Sequence, residues 1–262
     1  MPEMHHFTYG VITPMLAYVA SCVGAAAGLS ATSRARASKD ARSRSAWLLI
    51  GAIAIGGTGV WVMHFVAMLG FTVTGMPIYY DVPMTILSAL VAIVVVAIGL
   101  FLVGFAGDRL PVLLTGGVVA GLGVATMHYM GMAAMRMTGH LSYTTWVVAL
   151  SVVIAVVAAT AALWLCVNVR GRRATTGAAM LMGVAVSGMH YTGMAALTIH
   201  GAGGEPPGGT NPIDLLGPLI LGIVALTVAL IFIVMMWPTE DEMRSRDEFE
   251  ERLRRRGTRV GV

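Results

Sequence analysis

Seven long apolar stretches, separated by short polar loops, run through this chain, and about 20 consecutive apolar residues suffice for one helical crossing of a bilayer. They extend roughly from Tyr9 to Ala31, Ala46 to Phe71, Met84 to Phe105, Val112 to Met135, Thr144 to Val167, Thr175 to Ile199 and Leu215 to Trp237. Hydrophobic residues make up 57% of the chain and charged residues only 11%, against about 25% charged in a typical soluble domain. That is more apolar surface than one small core can bury, so the expected fold is all-α, a polytopic membrane bundle of seven transmembrane helices. No basic region precedes the first stretch, and it is too long for a signal-peptide core, so it is expected to remain as a span. Cys22 and Cys166 both fall inside spans, where cysteine behaves as a small buried hydrophobe.

The basic residues give an orientation, because Lys and Arg resist translocation. Arg34, Arg36, Lys39, Arg42 and Arg44 follow the first span, Arg109 the third, Arg170, Arg172 and Arg173 the fifth, and seven arginines the last. The opposite loops hold only Arg136. The N-terminus is therefore expected outside and the C-terminus in the cytoplasm. The net charge of +4 is a topology signal, with no nucleic-acid partner implied.

Three segments of the chain align without gaps around His64, His128 and His190. Counting from each histidine, position −7 is Gly57, Gly121 or Gly183 and position −4 is Val60, Val124 or Val186. Position −1 is Met63, Met127 or Met189, and +1 is Phe65, Tyr129 or Tyr191. Position +3 is Ala67, Gly131 or Gly193, +4 is Met68, Met132 or Met194, and +11 is Gly75, Gly139 or Gly201. Each unit is two spans long, so the fold carries an internal two-helix repeat and its motif helices cross in one direction. All three histidines then lie at one depth, in the outer half of the bilayer. On a helix, residues at +4 and −7 return close to the starting direction, which places Gly, His and Met on one stripe. The −7 and +3 residues are expected to let the motif helices meet.

A single intramembrane histidine is ordinarily a neutral ring hydrogen-bonded to the next helix. Three at one depth point instead to a shared ligand site, since unpaired polar rings in hydrocarbon are costly and tend to mark function. Methionine is a common core filler, yet here it flanks every histidine at −1 and +4. Thioether and imidazole together select copper, especially Cu(I), whereas zinc and the hard ions take other donors. The spans hold no acidic residue for a hard ion.

At MHFVAM, MHYMGMAAM and MHYTGMAA the chain resembles the MHYT family of bacterial membrane sensor domains, over roughly residues 9 to 237. The resemblance implies a seven-span module in the bacterial cytoplasmic membrane that binds copper near the outer face and senses oxygen, carbon monoxide, nitric oxide or redox state. The implied metal ligands are His64, His128 and His190 with Met63, Met127 and Met189, and further Met68, Met132 and Met194. Only Met189 to Thr192 spells the full motif. The first copy reads MHFV and the second MHYM, so the threonine hydroxyl is not required in every copy. Residues 1–237 form the sensor domain on this reading. Residues 238–262 form a cytoplasmic helical tail, with Glu242–Arg246 and Glu248–Arg252 at helical spacing, that contacts lipid or a separate signalling partner.

No nucleotide-binding glycine motif, nucleophile triad or carboxylate pair occurs, so a non-enzymatic sensor is expected. A haem- or copper-dependent redox protein, with paired histidines holding haem, and a copper-handling accessory protein stay open as alternatives. His5, His6, His140 and His200 sit beside the outer ends of spans, as loop histidines or as ligands on a route to the site. Trp61, Trp146 and Trp237 read as interfacial or packing residues, and GAGGEPPGGTNP as an external loop.

Overall fold

The computed structural model describes residues 3–201, 208–236 and 248–249. It holds seven long helices: α1 (Ile12–Ala37), α2 (Ala41–Met68), α3 (Val82–Ala106), α4 (Leu110–Ala133), α5 (Thr145–Asn168), α6 (Arg172–Ala195) and α7 (Pro212–Met236). Six of these are long and apolar enough to cross a membrane. The remaining one, α6, has the same 24-residue length as α4 and α5 but opens on Arg172, Arg173, Thr175 and Thr176 and carries Ser187, His190, Tyr191 and Thr192. The 238–262 tail lies outside the described residues apart from Glu248 and Phe249, as does much of the GAGGEPPGGTNP loop.

The helices outrun the apolar patches. An end at Ala31 is expected for the first span, yet α1 continues to Ala37. Arginine in this last turn is stabilising because guanidinium groups can satisfy terminal carbonyls. Arg36 donates to the carbonyls of Cys166 and Val169 at the end of α5. In α2 the winding changes to a π-helix from Ile53 to Val62, a form that is rare and frequent at functional sites. Glycines make it possible there, for Gly56 abuts the backbone of Ala92 and Ile93 in α3, where a Cβ has no room. The segment ends at Val62, two residues before the first motif histidine.

Successive helices pack side by side from α1 to α6, and α6 returns to α1, closing a ring with α7 outside it against α2 and α1. The motif helices α2, α4 and α6 alternate with the others around this ring. They touch one another through the Met63–Met68 turn of α2 and the facing parts of α4 and α6.

Short strands cap the ring at the end where the motif helices finish. The pairs are β1 (Met4–His5) with β2 (Thr72–Val73), β3 (Tyr79–Tyr80) with β4 (Met135–Arg136), and β5 (His140–Tyr143) with β6 (Leu197–His200). Tyr80 also bridges to Thr210. The loop after each motif helix is thereby tied to its neighbours. One hydrogen bond recurs three times, six residues beyond each histidine. The N–H of Thr8 donates to Gly70 O at 3.0 Å, that of Asp81 to Ala134 O at 2.8 Å, and that of Thr144 to Ala196 O at 2.9 Å. Gly75 and Gly201, at +11 in the repeat, have φ of 75° and 88°, values that only glycine adopts without strain.

Asp81 fastens this cap. Its carboxylate accepts from the Met84 backbone N–H at 2.9 Å, capping α3, and pairs with Arg136, the one basic residue of these loops. The amide bond first, and then the Arg136 guanidinium, hold the carboxyl below its ordinary value of 3.8. A depressed carboxyl stabilises the fold above its unfolded pKa, and that contribution disappears as pH falls through the folded one. Acidifying from about pH 5 to about pH 2 is expected to lower the thermal midpoint more in the native chain than in Asp81→Asn, whose side chain does not titrate. Parallel acid profiles in a thermal-unfolding series would remove this role.

Candidate metal centre

The three motif histidines are among the most buried side chains in the protein, at 1%, 0% and 1% exposure for His64, His128 and His190. Their rings meet inside the helix ring. The Nδ1 atom of His64 lies 3.0 Å from Nδ1 of His190 and 3.2 Å from Nδ1 of His128. Ring centroids are 4.9, 4.9 and 5.2 Å apart, all in edge-to-face orientation. Each ring also stands edge-on to the aromatic residue that follows it, Phe65, Tyr129 or Tyr191, at 4.7 to 4.9 Å. The cluster is threefold in its contacts as well as in its sequence.

The +3 residues explain how rings come so close. His64 Nε2 sits against Gly131, and His128 Nε2 sits against Gly193, each occupying the space that a Cβ would fill. Each of these rings is thus received by the small residue of the next repeat. The sequence places Ala67 at the equivalent position of the first copy. The −7 glycines do something different from what the stripe suggests. Gly121 faces the Val156 backbone in α5, Gly183 faces Tyr18 and Cys22 in α1, and Gly57 faces Ile223 in α7 and Ile93 in α3. They seat the motif helices against the helices between and outside them, not against one another. A helical stripe is wide enough that residues two turns apart meet different neighbours.

The donor set has a definite chemistry. A neutral imidazole has one N–H and one lone pair, and the Nδ1 of His64 is approached by two other Nδ1 atoms. Three neutral rings cannot give each close contact its own proton while leaving every lone pair directed at a separate donor. Meanwhile Nε2 of His64 and of His128 is buried without a hydrogen-bond partner among the described residues. A metal ion would resolve the crowding at the centre by accepting the Nδ1 lone pairs, with the proton on Nε2. With metal–nitrogen bonds of about 2.0 Å, tetrahedral geometry separates two ligand nitrogens by about 3.3 Å, close to the two Nδ1 separations here. The nitrogen atoms that these three histidines offer all lie within 4.8 Å of one another, and they form a cluster able to hold an ion. The histidines fit a metal.

The methionines are all buried around this centre, in different settings. Met63 packs with Ala17 of α1 and Ala67. Met189 lines a small apolar chamber of about 60 Å³ together with Val60, Val124 and Val186, the −4 residues of all three repeats. Met68 lines an outer cavity between the cap and the start of α7. Met127, Met132 and Met194 belong to the main core.

Some features carried no visible sequence signal. The N-terminal segment folds onto the cap, with the Phe7 ring 5.7 Å from Tyr191 and the His6 ring 5.3 Å from Phe71. Burial there holds the His6 imidazole below its ordinary value. His140 and His200 face each other as a strand pair and are exposed. Trp61 is fully buried, donating from its indole to Ser88 Oγ at 3.0 Å, while Trp146 is exposed. Tyr129 shares a 2.7 Å hydrogen bond with Ser151.

The family model described as bacterial signalling protein N terminal repeat, MHYT, matches at residues 57–116, 121–179 and 183–239. The chain belongs to the MHYT family. Among curated relatives it is 32% identical over 258 residues to the cyclic di-GMP phosphodiesterase NbdA of Pseudomonas aeruginosa, covering 94% of this chain and 32% of that protein. It is 44% identical over 160 residues to the bifunctional diguanylate cyclase/cyclic di-GMP phosphodiesterase MucR of the same organism, covering 59% of this chain and 23% of the relative. The signalling protein YkoW of Bacillus subtilis is 30% identical over 203 residues, 74% of this chain and 25% of its own length. The chain thus spans a third or less of the length of these relatives. No solved structure gives a significant match. The MHYT chain is a membrane sensor domain of the kind carried by signalling proteins.

The glycine receptacles give a direct test. In Gly131→Ala or Gly193→Ala the new methyl meets the imidazole of the preceding repeat, so bound metal is expected to fall at least several-fold. Gly177→Ala and Gly188→Ala, which meet nothing within 4 Å, are expected to leave it unchanged. Equal metal content in all four variants, by elemental analysis, would separate these glycines from the site.

Proposed function

We propose that the chain is a non-enzymatic copper sensor, in which His64, His128 and His190 hold one copper ion through Nδ1. The close approach of three buried Nδ1 atoms on parallel motif helices supports this most directly. Met63, Met127 and Met189, with Met68, Met132 and Met194, are the candidates from which a thioether donor would be drawn, and the combination of soft sulfur with imidazole favours Cu(I). Bound copper would supply one-electron chemistry and a binding position for oxygen, carbon monoxide, nitric oxide or a similar small ligand.

The protein's own part is to orient and to transmit. Edge-on packing against Phe65, Tyr129 and Tyr191 fixes each ring plane, and the chamber beside Met189 has an apolar lining that offers water no partners. A shift of the His64 or His128 ring is felt by the next motif helix through Gly131 or Gly193. The π-helical part of α2 leads directly into the His64 turn, and such windings recur at functional sites. On this reading α6 is the seventh span, with its arginines at the inner boundary and its polar face turned to the ring interior. The N-terminus and the strand cap lie outside, the basic loops lie in the cytoplasm, and the protein resides in the bacterial cytoplasmic membrane. Output passes to an attached domain or to a separate partner at the C-terminal side, as the signalling relatives suggest.

Haem is disfavoured by the same geometry, because three imidazoles in edge contact leave no space for a macrocycle between any two. Purified full chain is expected to hold about one copper and to lack an intense Soret band. His64→Ala, His128→Ala and His190→Ala are each expected to lose most of that copper, His140→Ala and His200→Ala to keep it, and single Met→Leu changes to have milder effects. Full occupancy in all three motif-histidine variants would refute the shared site.

A further inference from the structure

At the opposite end of the ring from the histidine cap lies a cavity of about 360 Å³, between the ends of α1, α3 and α5 and the start of α2. Its lining includes Arg36, Arg44 and Arg170, the side chains of Thr32 and Asn168 and, among the described residues, a single carboxylate, Asp108. We propose that this cavity binds a phosphate-bearing anion at the basic face of the bundle.

Helix capping accounts for part of the arginine set. Arg36 donates to the terminal carbonyls of α5, where a cation is favourable. Arg44 is placed the other way round. It occupies the first turn of α2, a turn without an acidic residue, where the helix dipole is positive and an arginine is unfavourable without an anion. The Asp40 carboxylate there is engaged as the helix cap, accepting from the Ser43 N–H at 2.8 Å. Arg44 itself makes only a long contact, 3.4 Å, to Ser38 O, and its guanidinium lies 5.7 Å from the Phe105 ring. Its Nε is buried without a hydrogen-bond partner among the described residues, a costly state that an acceptor oxygen in the cavity would relieve. Arg170, just before the start of α6, also lines the cavity.

One helix start, that of α2, and the arginines of the lining, with Asp108 the one carboxylate there among the described residues, make a concave basic site. Guanidinium groups suit phosphate because their forked donors match two of its oxygens. A volume of 360 Å³ is within the usual range of about 300 to 1,000 Å³ for small-molecule pockets, enough for a headgroup or a phosphate ester. Basic pockets between membrane helices are known receivers of anionic lipid headgroups. The cavity also shares Leu100 and Cys166 with the apolar chamber beneath the histidines, so an occupant would touch residues that border the metal centre's packing.

The test uses the full chain in phosphatidylcholine nanodiscs, with two probes. Native mass spectrometry with added phosphatidylglycerol reads the lipid source, and calorimetric titration with pyrophosphate reads the soluble one. Binding of at least one probe is expected, weakened about tenfold in both Arg44→Gln and Arg170→Gln, as loss of a charge-assisted contact should do, with copper content unchanged. Arg44→Lys keeps the charge and is expected to bind better than Arg44→Gln. Retention of phosphatidylglycerol alone assigns the site to a lipid headgroup, and pyrophosphate binding alone assigns it to a soluble phosphate. Binding of neither probe, or equal binding in native chain and the two glutamine variants, would overturn the site and leave these arginines as helix-end residues only. The copper measurement keeps that outcome distinct from failure of the sensor reading.

Discussion

Everything else in this fold depends on three imidazole rings sharing one point inside the bilayer-sized bundle. Polar rings are expensive in an apolar interior, and rings whose lone pairs converge are more so. The protein nevertheless commits three helices to that convergence, and removes a side chain from two of them, at Gly131 and Gly193, to make room. A ring of six helices with the motif helices at alternate places lets three equivalent stripes face one axis. The strand cap then fixes their ends, so that the depth of each histidine is set by backbone hydrogen bonds from Thr8, Asp81 and Thr144 as well as by helix packing.

The arrangement also divides the molecule by polarity along its length. At one end the cap collects short strands, tyrosines and the folded N-terminal segment. In the middle the rings sit above a small chamber walled by valine, alanine and leucine, a lining that stays dry because it offers water no partners. At the other end the arginines gather around the ends of α1, α3 and α5 and the start of α2. A change at the central rings therefore has short mechanical routes to both faces, through helices that run continuously from one to the other.

Much of this was legible in the sequence because the repeat is long and its spacing nearly constant. Apolar length announced the helices, and three matched histidines announced a common site, since equal spacing in parallel helices forces equal depth. Other features were hidden for physical reasons. Hydropathy reads composition and not packing, so it could neither show that α1 continues through Arg34 and Arg36 nor distinguish the polar helix α6 from its neighbours by length. Helical stripes gave the direction of Gly and His but not the partner, so the −7 glycines were assigned to the wrong contacts while the +3 glycines were assigned to the right ones. The cap strands are two to four residues long, too short for a period to appear. The π-helical winding of α2 has no sequence period of its own, only glycines that permit it.

The most direct measurement is X-ray absorption at the copper edge on full chain purified without chelators. The account predicts about one copper per chain with about three nitrogen neighbours near 2.0 Å, and a sulfur contribution that diminishes in the methionine variants. Absence of copper, or a copper shell without imidazole nitrogen, would contradict it.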